Sequence, residues 1–383
     1  MRVLIAGGGT GGHIFPALAV ARSLRVRPDP PELSWLGGQR GLEASLVPEA
    51  GIRLRRLSLR SLRSVGADVH VVLDPLRLAA SVPQALAVLA RERPATIFTT
   101  GGYVAIPVLL AATILRIPVL LWEGNLVPGR SVRATARLAR AVAVSYSETC
   151  AALGIGERPC LVTGTPIRDI SGIDRGAARE ALDVARDDRL VLVFGGSQAV
   201  RRLNAAVAAA LPTLVGRAVV IHVTGDDGYA AALTNREALP DHDRARYRPR
   251  RFLRDDMLTA LAAADLVVGR AGSSTLAEAA AFGLPIVVVP YPHAGGHQQA
   301  NAAAFAAAGA ARLVADEVFD GPALLEAVAI LDDAAAHTRM ALAARSLSRP
   351  TAADALADLV LALADGRPLP DQAAVDRRSG RAA

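Results

Sequence analysis

Two glycine-rich turns, a third turn rich in serine and threonine, and one polar segment gather the residues best able to do chemistry. The first turn is Gly7-Gly8-Gly9-Thr10-Gly11-Gly12-His13. Glycines at this density let backbone N–H groups come close to an anion or a polar ring. His13 stands at the mouth of the turn, and an imidazole with a pKa near 6.5 suits proton abstraction at neutral pH. The same ring could instead hold the loop by a local hydrogen bond. The second turn, Gly195-Gly196-Ser197-Gln198, opens a helix with Arg201, Arg202 and Asn204. A helix start beside a Gly-Ser turn is an anion site, although Ser197 could simply cap that helix. The third runs from Arg270 to Glu278. Ser273, Ser274 and Thr275 offer hydroxyls and free N–H groups to a diphosphate, and Glu278 offers a carboxylate to a ribose diol. Thr275 and Glu278 also have the spacing of a capping box. The polar segment carries His293, His297, Gln298, Gln299 and Asn301 after an apolar strand, a set suited to sugar hydroxyls.

Other chemistries fit less well. Gly7, Gly9 and Gly12 satisfy G-x-G-x-x-G, but no acid follows the second strand, which ends in Gly37-Gly38-Gln39, so a nicotinamide or flavin oxidoreductase is disfavoured. His293 and His297 lack a carboxylate or cysteine to complete a metal set, so no metal site is predicted. All 43 basic residues are arginine, which removes a Schiff-base lysine and a Walker-A lysine from consideration.

These turns need strands and helices to hold them. Apolar runs at Val3–Ala6, Leu33–Leu36, Ile97–Thr99, Val119–Trp122 and Ala141–Val144 alternate with Ala/Leu-rich stretches, and a second series follows at Leu190–Phe194, Ala218–Val223, Leu266–Val268 and Ile286–Val289. Nearly continuous apolar strands between helices indicate parallel sheets covered on both faces. The reading is α/β, built twice, as two Rossmann-like domains facing across a cleft. The predicted domains are 1–165, joined by a last helix at 350–366, and 166–349, with 367–383 as a disordered tail poor in apolar residues. Tyr103–Trp122 is the most apolar stretch, but Arg116 and Pro118 make it a buried helix and strand rather than a membrane span. Cys150 and Cys160 are too few for a disulfide framework and read as reduced thiols.

Charge is uneven. Residues 1–165 hold 19 arginines against 10 acids, and residues 166–383 hold 24 against 26. The first half therefore expects an anionic partner. Aromatics are 4% of the chain and do not interleave with basic residues, so nucleic acid is not that partner.

Taken in order, these motifs, with Thr100-Gly101-Gly102-Tyr103, resemble the MurG family. Its members are GT-B glycosyltransferases that move N-acetylglucosamine (GlcNAc) from UDP-GlcNAc to lipid I, the undecaprenyl-diphosphoryl-MurNAc-peptide of bacterial wall synthesis. The resemblance implies an inverting transfer to the MurNAc 4-hydroxyl, with His13 as base and Glu123 as its helper. It further implies substrate contacts at Thr10, Gly11, Gly12, Asn125, Arg168, Ser197, Leu253, Ser273, Ser274, Thr275, Leu276, Ala277, Glu278 and Gln298. Leu253 matches a position whose backbone reads uracil, and Gln298 one that meets a GlcNAc hydroxyl. No cofactor is required, although free magnesium could assist. The implied location is peripheral, on the cytoplasmic face of the cell membrane, with the basic first domain on anionic lipid. Arg53, Arg55, Arg56, Arg60 and Arg63 precede an apolar stretch at 69–82, and Arg130, Arg133, Arg137 and Arg140 recur at helical spacing. The family's His-Glu-Gln-Asn segment reads Trp122-Glu123-Gly124-Asn125 here, and its aromatic membrane patch near 70–85 has no aromatic residue. These departures fall on the acceptor side. A related UDP-sugar transferase acting on diacylglycerol would share the donor half.

Overall fold

The computed structural model describes residues 1–39, 41–59, 70–195, 201–253 and 256–381, with the backbone alone for 70–76. The chain divides into two compact units, Met1–Asp169 with Arg349–Arg381, and Ile170–Ser348. The division at 169/170 leaves Arg168 in the first unit.

The first unit is built on a seven-stranded sheet of β1 (Arg2–Ala6), β2 (Glu32–Gly37), β3 (Arg53–Arg56), β4 (Thr96–Thr99), β5 (Val119–Glu123), β6 (Ala141–Val144) and β7 (Cys160–Val162), in the order β3-β2-β1-β4-β5-β6-β7. Every ladder is parallel. Side chains of a strand alternate between faces, and the two cores divide accordingly. Val3, Ile5, Trp35, Phe98, Leu120 and Trp122 pack with the helices Gly11–Arg25 and Ala352–Ala364. Leu4, Ala6, Leu36, Ile97, Leu121 and Val142 pack with the helices His70–Glu92 and Ala105–Leu115. Both faces being covered, the central strands are apolar throughout. The stretch Tyr103–Trp122 is indeed a helix and a strand, and no helix among the described residues is long and apolar enough to cross a membrane.

The second unit has β8 (Leu190–Phe194), β9 (Val219–Val223), β10 (Tyr247–Arg250), β11 (Leu266–Gly269), β12 (Ile286–Val288) and β13 (Ala311–Leu313), in the order β10-β9-β8-β11-β12-β13, again all parallel. Val191, Val193, Val220, Val268 and Val287 pack beneath the helices Arg201–Arg217 and Gly321–Val328.

Three expectations need correction. Cys150 and Cys160 are disulfide-bonded, not free thiols. Cys150 lies on the helix Ser147–Leu153 and Cys160 opens β7, which sets their Cα atoms 5.9 Å apart, within reach of a bridge. The arginines at 130–140 do not form one helical stripe. The helix Arg130–Thr135 passes into a 3-10 turn at Ala136–Leu138 and Ala139 is extended, although all four guanidinium residues are exposed.

The third correction concerns the tail. Residues Gln372–Ser379 form a helix, capped by the Asp371 carboxylate on the Ala374 N–H and anchored by Val375 in the core. Composition misleads here because one valine and a few polar contacts suffice. Gln372 accepts from the Val162 N–H at 2.8 Å and donates to the Val162 carbonyl at 3.0 Å, so a side-chain amide occupies the open edge of β7. Arg349 donates to Asp376 at 2.7 Å, and Arg378 pairs with Asp358 at 2.7 Å. Burial raises the Asp376 pKa, but hydrogen bonds from Arg349 and Gln372 and the Arg349 charge outweigh it, and the net shift is downward. A carboxylate held low stabilises the fold above its unfolded pKa and loses that contribution as pH falls through the folded value. Replacing Gln372 by alanine should cost roughly 1–2 kcal/mol in chemical denaturation. Asp376→Asn should destabilise at pH 7, and its difference from the parent should shrink below about pH 4; a difference independent of pH would contradict the ion pair.

Candidate active site

In the first unit the chain leaves β1 for β2 on one side and returns to β4 on the other, so β1 and β4 flank a topological switch point. Loops at the carboxyl ends of such strands diverge and leave room for a ligand. The glycine turn follows β1 and Thr100–Tyr103 follows β4. They are locked together at His13. Its Nδ1 lies 2.7 Å from the Thr100 carbonyl, and the Thr100 hydroxyl donates to the His13 carbonyl at 2.9 Å. A carbonyl can only accept, so the Nδ1 proton belongs there and Nε2 is the basic nitrogen of the neutral ring. Gly102 has φ +76°, and a Cβ there would sit 3.5 Å from the imidazole. That distance is ordinary contact, so it is the left-handed φ rather than space that favours glycine here.

Thr10 precedes the helix Gly11–Arg25 in an extended conformation and makes no side-chain cap. The N–H groups that begin this helix thus lack the usual side-chain partner. Glu123 ends β5 and is 4% exposed. One carboxylate oxygen accepts from the Asn125 N–H at 2.9 Å and the Asn125 side chain at 2.8 Å, and the other from the Gly129 N–H at 2.9 Å. Three donors on two oxygens make Glu123 the organiser of its own loop, which is a poor arrangement for taking a substrate proton. The Thr149 hydroxyl bonds the Asn125 and Leu126 carbonyls and fixes the loop from the other side. Trp122, the departure from the family segment, is buried and donates to the Gly164 carbonyl at 3.0 Å. It serves the core of the unit.

In the second unit the helix Ser273–Phe282 starts directly after β11 with Gly272 at its N-cap and no side-chain cap. Thr275 lies inside this helix, so Thr275 and Glu278 do not form a capping box. The Leu276 N–H is already bonded to the Gly272 carbonyl, and its side chain is fully buried. The N–H groups of Ser273, Ser274 and Thr275 are the ones at the helix start. The Ser274 hydroxyl is buried with no hydrogen-bond partner. Ala277 is half-buried and Glu278 is 9% exposed on the same helix. Gln298 accepts from the Tyr291 N–H at 2.9 Å, which turns its amide NH2 toward other acceptors. Asn301 is fully buried and donates to the Ala271 carbonyl at 3.2 Å, tying its helix to the Ser273 turn.

A depression of about 730 Å³ adjoins this region at the carboxyl ends of β8, β11, β12 and β13, with Arg201, Arg202, Arg270, Tyr291, His293 and Asp316 in its wall. Arg270 and Arg202 share the single carboxylate of Asp316, so the wall keeps a net positive charge. The wall includes neither Ser273–Glu278 nor Gln298. Ser197 lies outside the described residues, as do Arg60 and Arg63. Among the described residues no cluster of three His, Cys, Asp or Glu could hold a metal.

Leu253 follows β10, whose end is clamped to β9. The Thr224 N–H bonds the Arg250 carbonyl at 2.9 Å and the Gly225 N–H bonds that of Arg251 at 3.1 Å. Beneath lies a network that no motif marks. The His222 Nε2 meets the Asn204 carbonyl oxygen at 3.0 Å, its Nδ1 meets the Tyr247 hydroxyl at 2.9 Å, and the Asn204 NH2 donates to the Thr224 carbonyl at 3.0 Å. The donors fix one neutral tautomer, with the proton on Nε2.

The family models for the glycosyltransferase family 28 N-terminal and C-terminal domains match residues 3–144 and 190–356. A Moorella thermoacetica protein named UDP-N-acetylglucosamine–N-acetylmuramyl-(pentapeptide) pyrophosphoryl-undecaprenol N-acetylglucosamine transferase is 40% identical over 94% of this chain and 98% of its own. The chain belongs to the MurG family. A Nocardioides relative with the same name is 41% identical over 96% of this chain and 99% of its own. The crystal structure of Acinetobacter baumannii MurG superposes with a TM-score of 0.73 at 29% identity, covering 94% of this chain and 99% of that one. As a MurG family member the protein is a glycosyltransferase with the GT-B fold.

Burial pushes the His222 pKa down to about 4 from 6.5. Above pH 6.5 the ring is neutral folded or unfolded. Between there and pH 4 only the unfolded chain takes the proton, so stability falls with pH, by on the order of 3 kcal/mol in all. NMR of the imidazole should show His222 neutral at pH 5.5, and titration near 6.5 would contradict the network.

Proposed function

We propose that this MurG family member transfers GlcNAc from UDP-GlcNAc to the 4-hydroxyl of MurNAc in undecaprenyl-diphosphoryl-MurNAc-pentapeptide, with inversion. The end-to-end likeness to transferases named for that reaction carries the substrate assignment. The geometry around His13 supports the mechanism. Its Nε2 takes the proton of the acceptor hydroxyl while Thr100 holds Nδ1. The hydroxyl oxygen attacks the anomeric carbon, the bond to the diphosphate oxygen breaks on the opposite face, and UDP leaves with the negative charge. The N–H groups of Ser273, Ser274 and Thr275 and the partnerless Ser274 hydroxyl receive that diphosphate. Arg168 balances its charge, Ser197 offers a further substrate contact, Glu278 takes the ribose, the Leu253 backbone the uracil, and Gln298 a sugar hydroxyl. Leu276 and Ala277 shape the helix under the diphosphate. Thr10, Gly11 and Gly12 offer helix-start N–H groups to the donor, and Asn125 sits on the loop that Glu123 folds. No cofactor enters this scheme, and free magnesium could assist the leaving group.

The enzyme works at the cytoplasmic membrane surface as a peripheral protein in this reading. Arg130, Arg133, Arg137 and Arg140 are exposed on the first unit, as are Leu110, Ile114 and Leu115 of the helix Ala105–Leu115. Arg53 and Arg56 are also exposed, whereas Arg55 is paired with Glu92.

Incubation with UDP-GlcNAc and a short-chain lipid I analogue, with diacylglycerol in parallel, should give a disaccharide product from the first acceptor alone. Product from diacylglycerol alone would overturn the assignment. His13→Ala should lower turnover by about 10²–10⁴-fold, and near-normal turnover would remove His13 as the base. Reversing Arg130, Arg133 and Arg140 to glutamate should weaken binding to anionic vesicles by about 1 kcal/mol or more per residue. Unchanged binding would separate this arginine set from the membrane.

A further inference from the structure

Glu43 is fully buried at the start of the helix Glu43–Glu49. Its carboxylate is bonded by three loops of the first unit. Oε2 accepts from the Gly9 N–H at 2.9 Å, and Oε1 accepts from the Gly38 N–H at 3.1 Å and the Tyr103 hydroxyl at 3.4 Å. Three segments that follow β1, β2 and β4 thus meet at one anion. Glycines enclose it: a Cβ on Gly8 would come within 2.5 Å of Oε1, and one on Gly41 would overlap Oε2. The Tyr103 pKa is raised, by burial first and then by the neighbouring Glu43 charge, so its hydroxyl stays a donor.

We propose that Glu43 is the positioning residue for His13. Gly9 belongs to the turn that carries His13, and Tyr103 to the turn whose Thr100 carbonyl orients the ring. The carboxylate therefore sets the distance between the two halves of the His13 lock without touching substrate. It needs to be an acceptor on both oxygens. A glutamine would keep one acceptor and turn its NH2 toward a second N–H, releasing either Gly9 or Gly38. The inference rests on the reading of His13 as the base.

The experiment compares the parent enzyme with Glu43→Gln and Tyr103→Phe, in steady-state transfer to the lipid I analogue and in UDP binding by calorimetry. A parent that transfers no GlcNAc would remove the functional reading itself. With an active parent, Glu43→Gln should lower kcat by up to about 100-fold, the scale of displacing a catalytic group by an ångström. The KM for UDP-GlcNAc and the affinity for UDP should stay within about twofold, because most of the proposed donor groups, Ser273–Glu278, Leu253 and Gln298, lie on the second unit. Tyr103→Phe, which keeps the ring, should lower kcat roughly fivefold, the worth of one hydrogen bond. It should cost less in the Glu43→Gln background, since both act on one contact. Unchanged kcat in both variants would refute the role, as would a loss of UDP binding in step with kcat. If Glu43→Gln does not fold, a normal kcat for Tyr103→Phe refutes it alone.

Discussion

A parallel strand pair cannot be closed by a two-residue turn, so every strand here must pass the chain to a crossover segment that covers the sheet. That requirement fixes most of the architecture. It demands apolar side chains on both faces of the central strands, which is why β1, β5, β8 and β11 are rich in Val, Leu and Ile. It also sends every strand-to-helix turn to the same end of its sheet. The first glycine-rich turn and Thr100–Tyr103 are therefore brought to the carboxyl ends of the neighbouring strands β1 and β4 by topology, although about ninety residues of sequence separate His13 from Thr100.

Turns of this kind expose many N–H groups, and the molecule satisfies a large share of them with its own side chains. Glu43 takes Gly9 and Gly38, Glu123 takes Asn125 and Gly129, and Asp265 takes Leu190 at 2.8 Å. Gln372 does the same for the edge of β7. Where a carbonyl needs a donor, arginine supplies it. Arg179 is 6% exposed and donates to the carbonyls of Ala263, Ala185 and Asp188 while pairing with Asp265. A planar guanidinium with five donors can serve several carbonyls at once, which an ammonium on a single point cannot match in geometry. A chain without lysine thus uses part of its positive charge as internal scaffolding. The helix at Ser273 departs from this habit. No side chain caps it and the Ser274 hydroxyl has no partner, which is the condition expected where a ligand completes the turn.

Legibility in the sequence obeys the same physics. The central strands are readable because burial on two faces leaves a continuous apolar signal. The four strands without that signal, β3, β7, β10 and β13, are the four sheet edges. Arg53–Arg56 and Tyr247–Arg250 alternate arginine with other residues, and Pro249 sits in β10 where an interior strand would exclude it. An edge is half solvent, so its pattern looks like a charged loop. Spacing alone suggests one basic patch at 53–56, yet consecutive strand residues face opposite ways, and Arg55 ends against Glu92. His13 and the Ser273 helix start are visible because glycine density and strand–turn–helix order mark them. Glu43 and the Asn204–His222–Tyr247 network leave no such mark. Each joins residues far apart in the chain, and a single glutamate or histidine carries no periodicity.

The charge asymmetry of the chain resolves onto particular residues. Much of the second unit's charge is matched within its own fold: Arg175 and Arg179 with Asp265, Arg270 and Arg202 with Asp316, Arg246 with Asp188. Arg179–Asp265 and Arg270–Asp316 are largely buried pairs, and together these contacts reduce the field of the unit. In the first unit Arg130, Arg133 and Arg140 are exposed with no acid paired to them among the described residues, while Arg55 and Arg27 have partners in Glu92 and Asp358. The arginine excess of the first half therefore survives folding as surface charge near the β5–β6 connection. A field of that kind favours a polyanionic surface at long range and gives no discrimination between small ligands. Discrimination between small ligands has to come from short-range groups, whose placement does not depend on net charge.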